Sequence, residues 1–479
     1  MIDIRQIRED PKKFKKAAKD KGFDVDIDRL LEVDSKLKEA MQQLQDISTE
    51  KNRIGKSIPK LSGKEKEKAL SELAQLKNNE AEYNNQAKEL QPEFDTLMQE
   101  VAQPADEDVP IGKDDTENVE IRKEGKIRKF DFEPKDHVKL GLELGIIDIE
   151  RGVKIAGTRN YFLKGDGALL HWAILRYAMD YMVGKGYLPF SVPLLMKDET
   201  MTGTGFFPGS EDQTYRTEAD QPLFSSPSWG LTFSPKSSSS SLKFRTEGDN
   251  FVPEEEEIRD DATPEFVFKP PEKGKLNLAG TAEVPLTAYH RNEILNADEL
   301  PKKYVALSSC FRREAGAAGK DTYGLYRIHQ FDKVEQVIVC KNDTAESMKF
   351  HDEILANAEA VMQALELPYR VANVCTGDLG RGQAKKFDIE AWMPSRENYC
   401  ETHSASKFYD FQARRMNLRY KDPETKKNLF CHTLNNTVIA SPRILIPILE
   451  LYQNSDGSVT IPKVLQSYMG GRKKIVKRE

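Results

Sequence analysis

FRREAGAAGKDTYGLYRIHQFDKVEQ, residues 311–336, reads as two strand-forming runs joined by a glycine-rich loop. Arg312 and Glu314 are two apart, so on a strand they share one face. AGAAGKDTYG (315–324) suits hairpin closure near a nucleotide. On the returning strand Arg327, Phe331 and Glu335 are each four apart, again on one face. Arg312 can clamp an anion bidentately, Glu314 can accept from an exocyclic amine, and Phe331 offers an aromatic platform. Cation, platform and carboxylate on one sheet surface make a coherent floor for a nucleotide and an amino acid.

Outward from this hairpin, short β-rich runs (YRTE 215–218, KLNLAG 275–280, YVALSS 304–309, KVEQVIVC 333–340, KKFDIEAWM 385–393) alternate with helical stretches. HWAILRYAMDYMV (171–183) and ESMKFHDEILANAEAVMQAL (346–365) are the clearest helices. The pattern predicts an α+β domain with a largely antiparallel sheet flanked by helices, over 111–479. Within it, 222–275 holds a five-serine run, a four-glutamate run and several prolines. Such a segment buries little and is expected to be a low-complexity insertion, disordered or a long surface loop.

The first hundred residues have a different period. Leu30, Val33, Leu37, Ala40, Leu44, Ile47, Lys51, Ile54, Ile58 and Leu61 alternate spacings of three and four. Leu76, Glu80, Tyr83, Ala87, Leu90, Phe94, Leu97 and Val101 repeat the alternation. Two seams joined by the turn SGK (62–64) predict an antiparallel α-helical coiled-coil arm over about 28–103, inside an N-terminal domain of 1–110. Each seam has one charged intruder, and folding about the turn predicts that Lys51 meets Glu80. AQPADEDVPIGKDD (102–115) then breaks the helix as a linker.

The chain of 479 residues has a net charge of −6, which alone argues against a nucleic-acid partner. The charge is segregated, however. From 51 to 68 seven basic residues, among them Lys51, Arg53, Lys56, Lys60 and Lys64, face only Glu65 and Glu67. A protruding rod with a positive end is a plausible reader of a phosphate backbone. No run of about 18 apolar residues predicts a membrane span, and the charged start MIDIRQIREDPKKF lacks an apolar secretion core. Five dispersed cysteines, Cys310, Cys340, Cys375, Cys400 and Cys431, read as reduced, buried thiols of a cytoplasmic protein rather than a zinc site.

FRREAG…GLYRIHQFDKVE resembles motif 2 of class II aminoacyl-tRNA synthetases, in the form typical of seryl-tRNA synthetases. GYLPFSVPLL (186–195) is similar to motif 1, the dimer-interface element, and PRILIPILE (442–450) to motif 3. GTAEVPLT (280–287) resembles the family's serine-binding loop, and YCETHSASKFYDFQARRM (399–416) its glutamate-containing strand. The likeness runs through nearly the whole chain, arm included. It implies a class II catalytic domain that activates serine with ATP and Mg2+, then charges tRNA(Ser), and tRNA(Sec) where present, as a homodimer. Such chemistry brings two anions together, so it needs positioned cations and a divalent metal more than an acid or base.

The resemblance also implies roles. Arg312 would bind the α-phosphate and the serine carboxylate, with Arg443 as its catalytic partner. The ATP site would comprise Arg312, Arg313, Glu314, Arg327, Ile328, His329, Gln330, Phe331, Glu401, Thr402, His403, Ser404 and Arg443. In it Glu314 reads the adenine amine, Phe331 stacks on the ring, and Arg327 and Arg443 hold the outer phosphates. Glu401 and Ser404 would carry magnesium. Thr281, Ala282, Glu283, Arg312, Glu335 and Thr437 would surround serine, and the basic arm tip would grip tRNA.

Three positions depart from the family pattern. NNTVIASPR (435–443) replaces a glycine-rich turn, Tyr323 replaces a loop arginine, and His403 replaces a small residue. A ligase for a carrier protein would lack the basic-tipped arm. A non-catalytic RNA-binding scaffold would not need Arg312, Glu314, Glu401 and Arg443.

Overall fold

The computed structural model describes residues 1–217, 244–247, 250–253, 275–315 and 323–477. Most of the expected insertion, and residues 316–322 of the glycine-rich loop, lie outside the described residues. Residues 217–276 form a unit separate from the rest of the chain. In it Phe244–Glu247 pairs antiparallel with Asn250–Pro253, so this part of the segment carries regular structure.

The remainder is built on one sheet of eight strands. They are β1 (Val119–Glu124), β2 (Leu188–Phe190), β3 (Lys302–Phe311), β4 (Gln330–Cys340), β5 (Tyr369–Asn373), β6 (Lys385–Met393), β7 (Asn398–Tyr409) and β8 (His432–Ser441). Their order across the sheet is β1-β5-β6-β7-β8-β4-β3-β2. Neighbours run antiparallel except the edge pair β2 and β3, which is parallel. This is the helix-flanked, mainly antiparallel sheet that the alternating runs predict.

Strand β4 shows how the sequence divides the two faces. Val334, Ile338 and Cys340 enter the main hydrophobic core with Ile354 and Ala358 of the helix Thr344–Ala364. Gln336 points the same way and donates to the Ile354 carbonyl at 2.9 Å. The alternate residues Phe331, Lys333, Glu335 and Val337 face the other side. There Val337 packs with Ala282 and Leu286 of the short helix Glu283–Thr287 and its N-terminal flank. One face is thus a helix-covered core, and the other holds polar groups.

The arm forms as two helices, Ile27–Ser57 and Gly63–Glu100. Asp26 caps the first by accepting from the Arg29 N–H at 2.8 Å, and the 3-10 turn Ile58–Lys60 ends it. At about 1.5 Å per residue the helices span about 46 and 57 Å. Leu37, Ala40 and Ala87 are buried between them. Lys51 meets Glu80 at 2.6 Å, as the folded seams require. Arg29 and Glu93 add a 2.6 Å pair nearer the base. At that base Ile27, Leu30, Met98 and Val101 pack with Phe408 and Phe411 beside the end of β7. Buried Lys21 donates to the Gly380 and Gln383 carbonyls. Burial lowers its pKa to about 7.

Two strand assignments require correction. Strand β3 ends at Phe311, so Arg312 and Glu314 lie beyond it. The Arg312 N–H still donates to the His329 carbonyl at 2.9 Å, but the Arg313 N–H turns to the Gln213 carbonyl, and the ladder stops. Glu314 then adopts φ 52°, left-handed backbone that terminates any extended run. Arg327 likewise precedes β4, which begins at Gln330, so only Phe331 and Glu335 of the expected trio share a strand face.

Candidate active site

The polar face of β4 and its neighbours lines a recess shared by Arg312, Glu314, Ile328, Phe331, Glu401 and Arg443, with Lys333, Thr402 and Thr437 deeper in. Arg312 and Glu314 reach it from the loop end rather than from the strand. The Arg312 guanidinium lies 5.2 Å from the Phe331 ring centroid, within cation–π range. Glu314 is ion-paired with Arg327 at 2.8 Å. Its left-handed backbone is local strain of the kind tolerated where the surroundings fix a side chain.

Two β-bulges aim the next residues. A register shift between Ile389 and Glu390 sets Glu390 opposite Glu401 and Asp388 opposite Ser404. Glu401 and Ser404, three apart, thereby share a face, which an unbroken strand forbids. A second shift, between Val334 and Glu335, pairs Glu335 with Thr437 and Lys333 with Ala440. Period-two reading could not reveal either grouping.

Arg443 leaves β8 and is held on three sides. It donates to the Tyr326 carbonyl at 3.1 Å and to the Glu401 carbonyl at 3.1 Å. Its guanidinium stacks 4.4 Å from the Tyr326 ring centroid, and the Glu401 carboxylate is 3.6 Å away. Desolvation raises the Glu401 carboxyl pKa, but Arg443, Lys386, Arg312 and Arg327 together outweigh it and keep the group below its ordinary value. Asp388 behaves oppositely. Burial pushes its carboxyl up to about 7, against the pull of Lys386 and a bond from Ser404. Its Oδ1 is buried with no hydrogen-bond partner among the described residues. The Glu401 carboxylate, the Ser404 hydroxyl and this Asp388 oxygen are hard oxygen donors of the type that could hold a divalent cation beside phosphates.

Deeper in, Lys333 and Glu335 form a buried ion pair. Thr437 stands 3.4 Å from the Lys333 ammonium and 3.5 Å from the Glu335 carboxylate. Thr281 is buried, and its hydroxyl accepts from the Glu283 N–H at 3.2 Å. Burial, then the nearby Glu335, pushes the Glu283 carboxyl up to about 7, opposed by Gln412, Lys333 and Asn435. The Asn435 amide nitrogen is buried beside that carboxyl.

Several expected site residues stand elsewhere. Arg313 is exposed, and its backbone pairs with Gln213. His329 faces the Arg312 carbonyl at 3.0 Å, and Gln330 is exposed. Ala282 packs in a small hydrophobic cluster. His403 is buried beside Thr402 at 2.8 Å, and burial lowers its pKa to about 4, so it is neutral near pH 7. Lys333, Asp388, Gln412, Asn435 and Tyr326 are the residues that sequence reading missed. Lys333 was accessible to it, two residues before Glu335 on one strand. Gln412 was not, since only the tertiary fold brings it to Glu283.

At the arm tip Arg53, Lys56, Lys60 and Lys64 are exposed, and Arg53, Lys56 and Lys60 border a surface groove with Thr49, Asn52 and Ser57. Lys51 is instead held in the seam by Glu80. All five cysteines are buried, and none forms a disulfide among the described residues. Among the described residues no helix is long and apolar enough to cross a membrane.

Comparison with known proteins agrees with this geometry. Residues 1–103 match the seryl-tRNA synthetase N-terminal domain, and residues 266–452 the tRNA synthetase class II core domain (G, H, P, S and T). The serine–tRNA ligase of Deinococcus radiodurans is 39% identical over 98% of each chain. The seryl-tRNA synthetase of Pyrococcus horikoshii, solved with ATP, superposes over 100% of both chains with a TM-score of 0.82 and 34% identity. The cytoplasmic serine–tRNA ligase of Naegleria fowleri, solved with AMP, gives 0.80 and 29% over 100% of this chain and 99% of that one. A likeness of this extent, carried by both the arm and the recess, means that the chain belongs to the seryl-tRNA synthetase (serine–tRNA ligase) family of class II aminoacyl-tRNA synthetases.

Proposed function

We propose that this chain is an ATP-dependent serine–tRNA ligase. It joins the serine carboxylate to the α-phosphate of ATP, releases pyrophosphate, and passes the seryl group to the terminal adenosine of tRNA(Ser). The observation that carries this reading is the place of Arg312. Its guanidinium lies 5.2 Å from the Phe331 ring centroid, in the recess that also holds Lys333, Thr437 and, through them, Glu335. A cation at that junction can hold the attacking carboxylate and the α-phosphate together.

The serine carboxylate is already anionic and needs no base to attack phosphorus. As the bond to the bridging oxygen breaks, negative charge gathers on the leaving pyrophosphate, and Arg443, with Arg327, offsets it. Arg443 is suited to this because Tyr326 and Glu401 already fix its plane. Glu314 reads the adenine amine, exchanging part of its pairing with Arg327. Glu283, Glu335, Thr281 and Thr437 line the amino-acid pocket. Glu401 and Ser404, supported by Asp388, would hold Mg2+, which would supply positive charge beside the phosphates. The exposed Arg53, Lys56, Lys60 and Lys64 grip tRNA, and two copies form the working dimer.

The test is serine-dependent ATP–pyrophosphate exchange followed by charging of bulk tRNA, on the full chain and on one with residues 41–85 replaced by a short turn. This deletion keeps the packed base of the arm, Ile27, Leu30, Met98 and Val101. Exchange is expected in both, and charging is expected to fall about a hundredfold without the arm, the loss of about 3 kcal/mol of tRNA binding. Absence of exchange in the full chain would refute the reading. Exchange with no tRNA charging by the full chain would make it an amino-acid ligase for another acceptor.

A further inference from the structure

Glu283 faces the amino-acid pocket, but its partners come from outside it. Gln412 is 1% exposed, on the short helix Phe411–Met416. Its amide nitrogen donates to the Glu283 Oε1 at 2.9 Å and to the Thr204 carbonyl at 2.9 Å. Its amide oxygen accepts from the Thr433 hydroxyl at 2.6 Å, and Thr433, on β8, is also buried. The Thr204 carbonyl fixes the amide's orientation, because it can only accept: a flipped amide would set its oxygen against that carbonyl with no proton between them. Protons are therefore offered from Thr433 to Gln412 and from Gln412 to Glu283.

The charged groups facing Glu283 are Glu335 and Lys333, both from β4, and neutral Asn435 approaches from β8. Lys333 is engaged by Glu335 and lies close to Thr437. The carboxylates thus divide their support: Lys333 serves Glu335, and Gln412 serves Glu283. We propose that Gln412, oriented by Thr433 and the Thr204 carbonyl, is a positioning residue that keeps Glu283 an ionised acceptor for the polar hydrogens of the amino acid. The proposal rests on the serine-activating reading above.

The carboxyl itself titrates in an accessible range, at about 7, because burial and Glu335 raise it while Gln412 opposes them. The sign follows. Below pH 7 the protonated carboxyl is a poorer acceptor, so kcat/KM for serine falls as pH drops through this range. Removing the Gln412 donor takes away stabilisation of the anion and moves that acid limb to higher pH.

The test uses Gln412→Leu and Thr433→Val in the full chain, with serine-dependent ATP–pyrophosphate exchange followed from pH 6 to 9. For Gln412→Leu the expected results are a loss of about tenfold in kcat/KM for serine and an upward shift of the acid limb by about half to one pH unit. The KM for ATP should stay unchanged. Thr433→Val should shift the limb in the same direction by less. It removes one hydroxyl from a folded strand, so it decides the matter if Gln412→Leu does not fold. An unmoved limb with wild-type serine KM, or equal rises in both KM values, overturns the role of Gln412 alone. Lack of serine-dependent exchange in the wild-type chain overturns the underlying functional reading instead.

Discussion

Lys333 is the cation that makes a pocket of two acidic side chains possible. Its side chain is 7% exposed and that of its partner Glu335 2% exposed, with Glu283 close by. Replacing Lys333 by Met conserves much of the volume but leaves Glu335 buried beside Glu283 without its counter-ion. Breaking a buried pair from one side costs about 3–5 kcal/mol. Lys333→Met is therefore expected to lower the denaturation midpoint of the catalytic unit and to abolish serine-dependent exchange. A melt and exchange rate close to wild type would show that Glu335 does not depend on it. At this scale the sequence was legible where chemistry sits in a contiguous stretch. Arg312, Glu314 and Phe331 reach one recess, with Glu335 behind it against Lys333, because β3 and β4 are neighbours. Strand period alone could not group Ser404 with Glu401 or Thr437 with Glu335, which bulges regroup and only the family resemblance named, and nothing in the sequence reached a partner from a distant segment such as Gln412.

At the scale of elements, the arm was the most readable part. Its three-four alternation directly encodes which residues are buried, and the Lys51–Glu80 pair sits where folding about the turn puts it. The same logic separates Lys51 from the other basic residues. A lysine whose ammonium is held by a carboxylate at 2.6 Å contributes less to a phosphate contact than Lys56, Lys60 and Lys64, which are exposed. Each phosphate neutralised adds about 0.7–0.9 to the slope of log affinity against log salt. Replacing Lys56, Lys60 and Lys64 with Ala is expected to flatten that slope for tRNA by about 2 units, with serine-dependent exchange unaffected. Lys51→Ala should change the slope far less. Equal effects from Lys51 and the tip lysines would mean that the seam opens on binding. The strand boundaries were less readable, because Arg312 and Arg327 look like strand residues until the competing Gln213 contact and the left-handed Glu314 are seen.

At the scale of the whole molecule, the catalytic sheet ends at β2, three residues paired only to β3 among the described residues. An open edge invites pairing or covering. Leu188 on that strand is 56% exposed, and Trp172 on the helix Asp166–Gly184 is 62% exposed. Phe190 and Tyr289 form an edge-to-face pair beside the same strand, with centroids 5.0 Å apart, and Tyr289 is itself exposed. Exposed aromatics of this size suit the buried centre of an interface. The helix also touches β4 on the side opposite the recess. His171, next to Trp172, bonds Ser441 at 2.7 Å and Asp332 at 3.0 Å, and Asp332 lies between Phe331 and Lys333. A partner covering Trp172 would thereby steady the start of β4. The full chain is expected to sediment as a dimer of about 109 kDa, twice 54.5 kDa. Trp172→Glu with Leu188→Lys should give monomers that retain the fold by circular dichroism and lose most serine-dependent exchange. Wild-type activity in a proven monomer would show that each recess works alone.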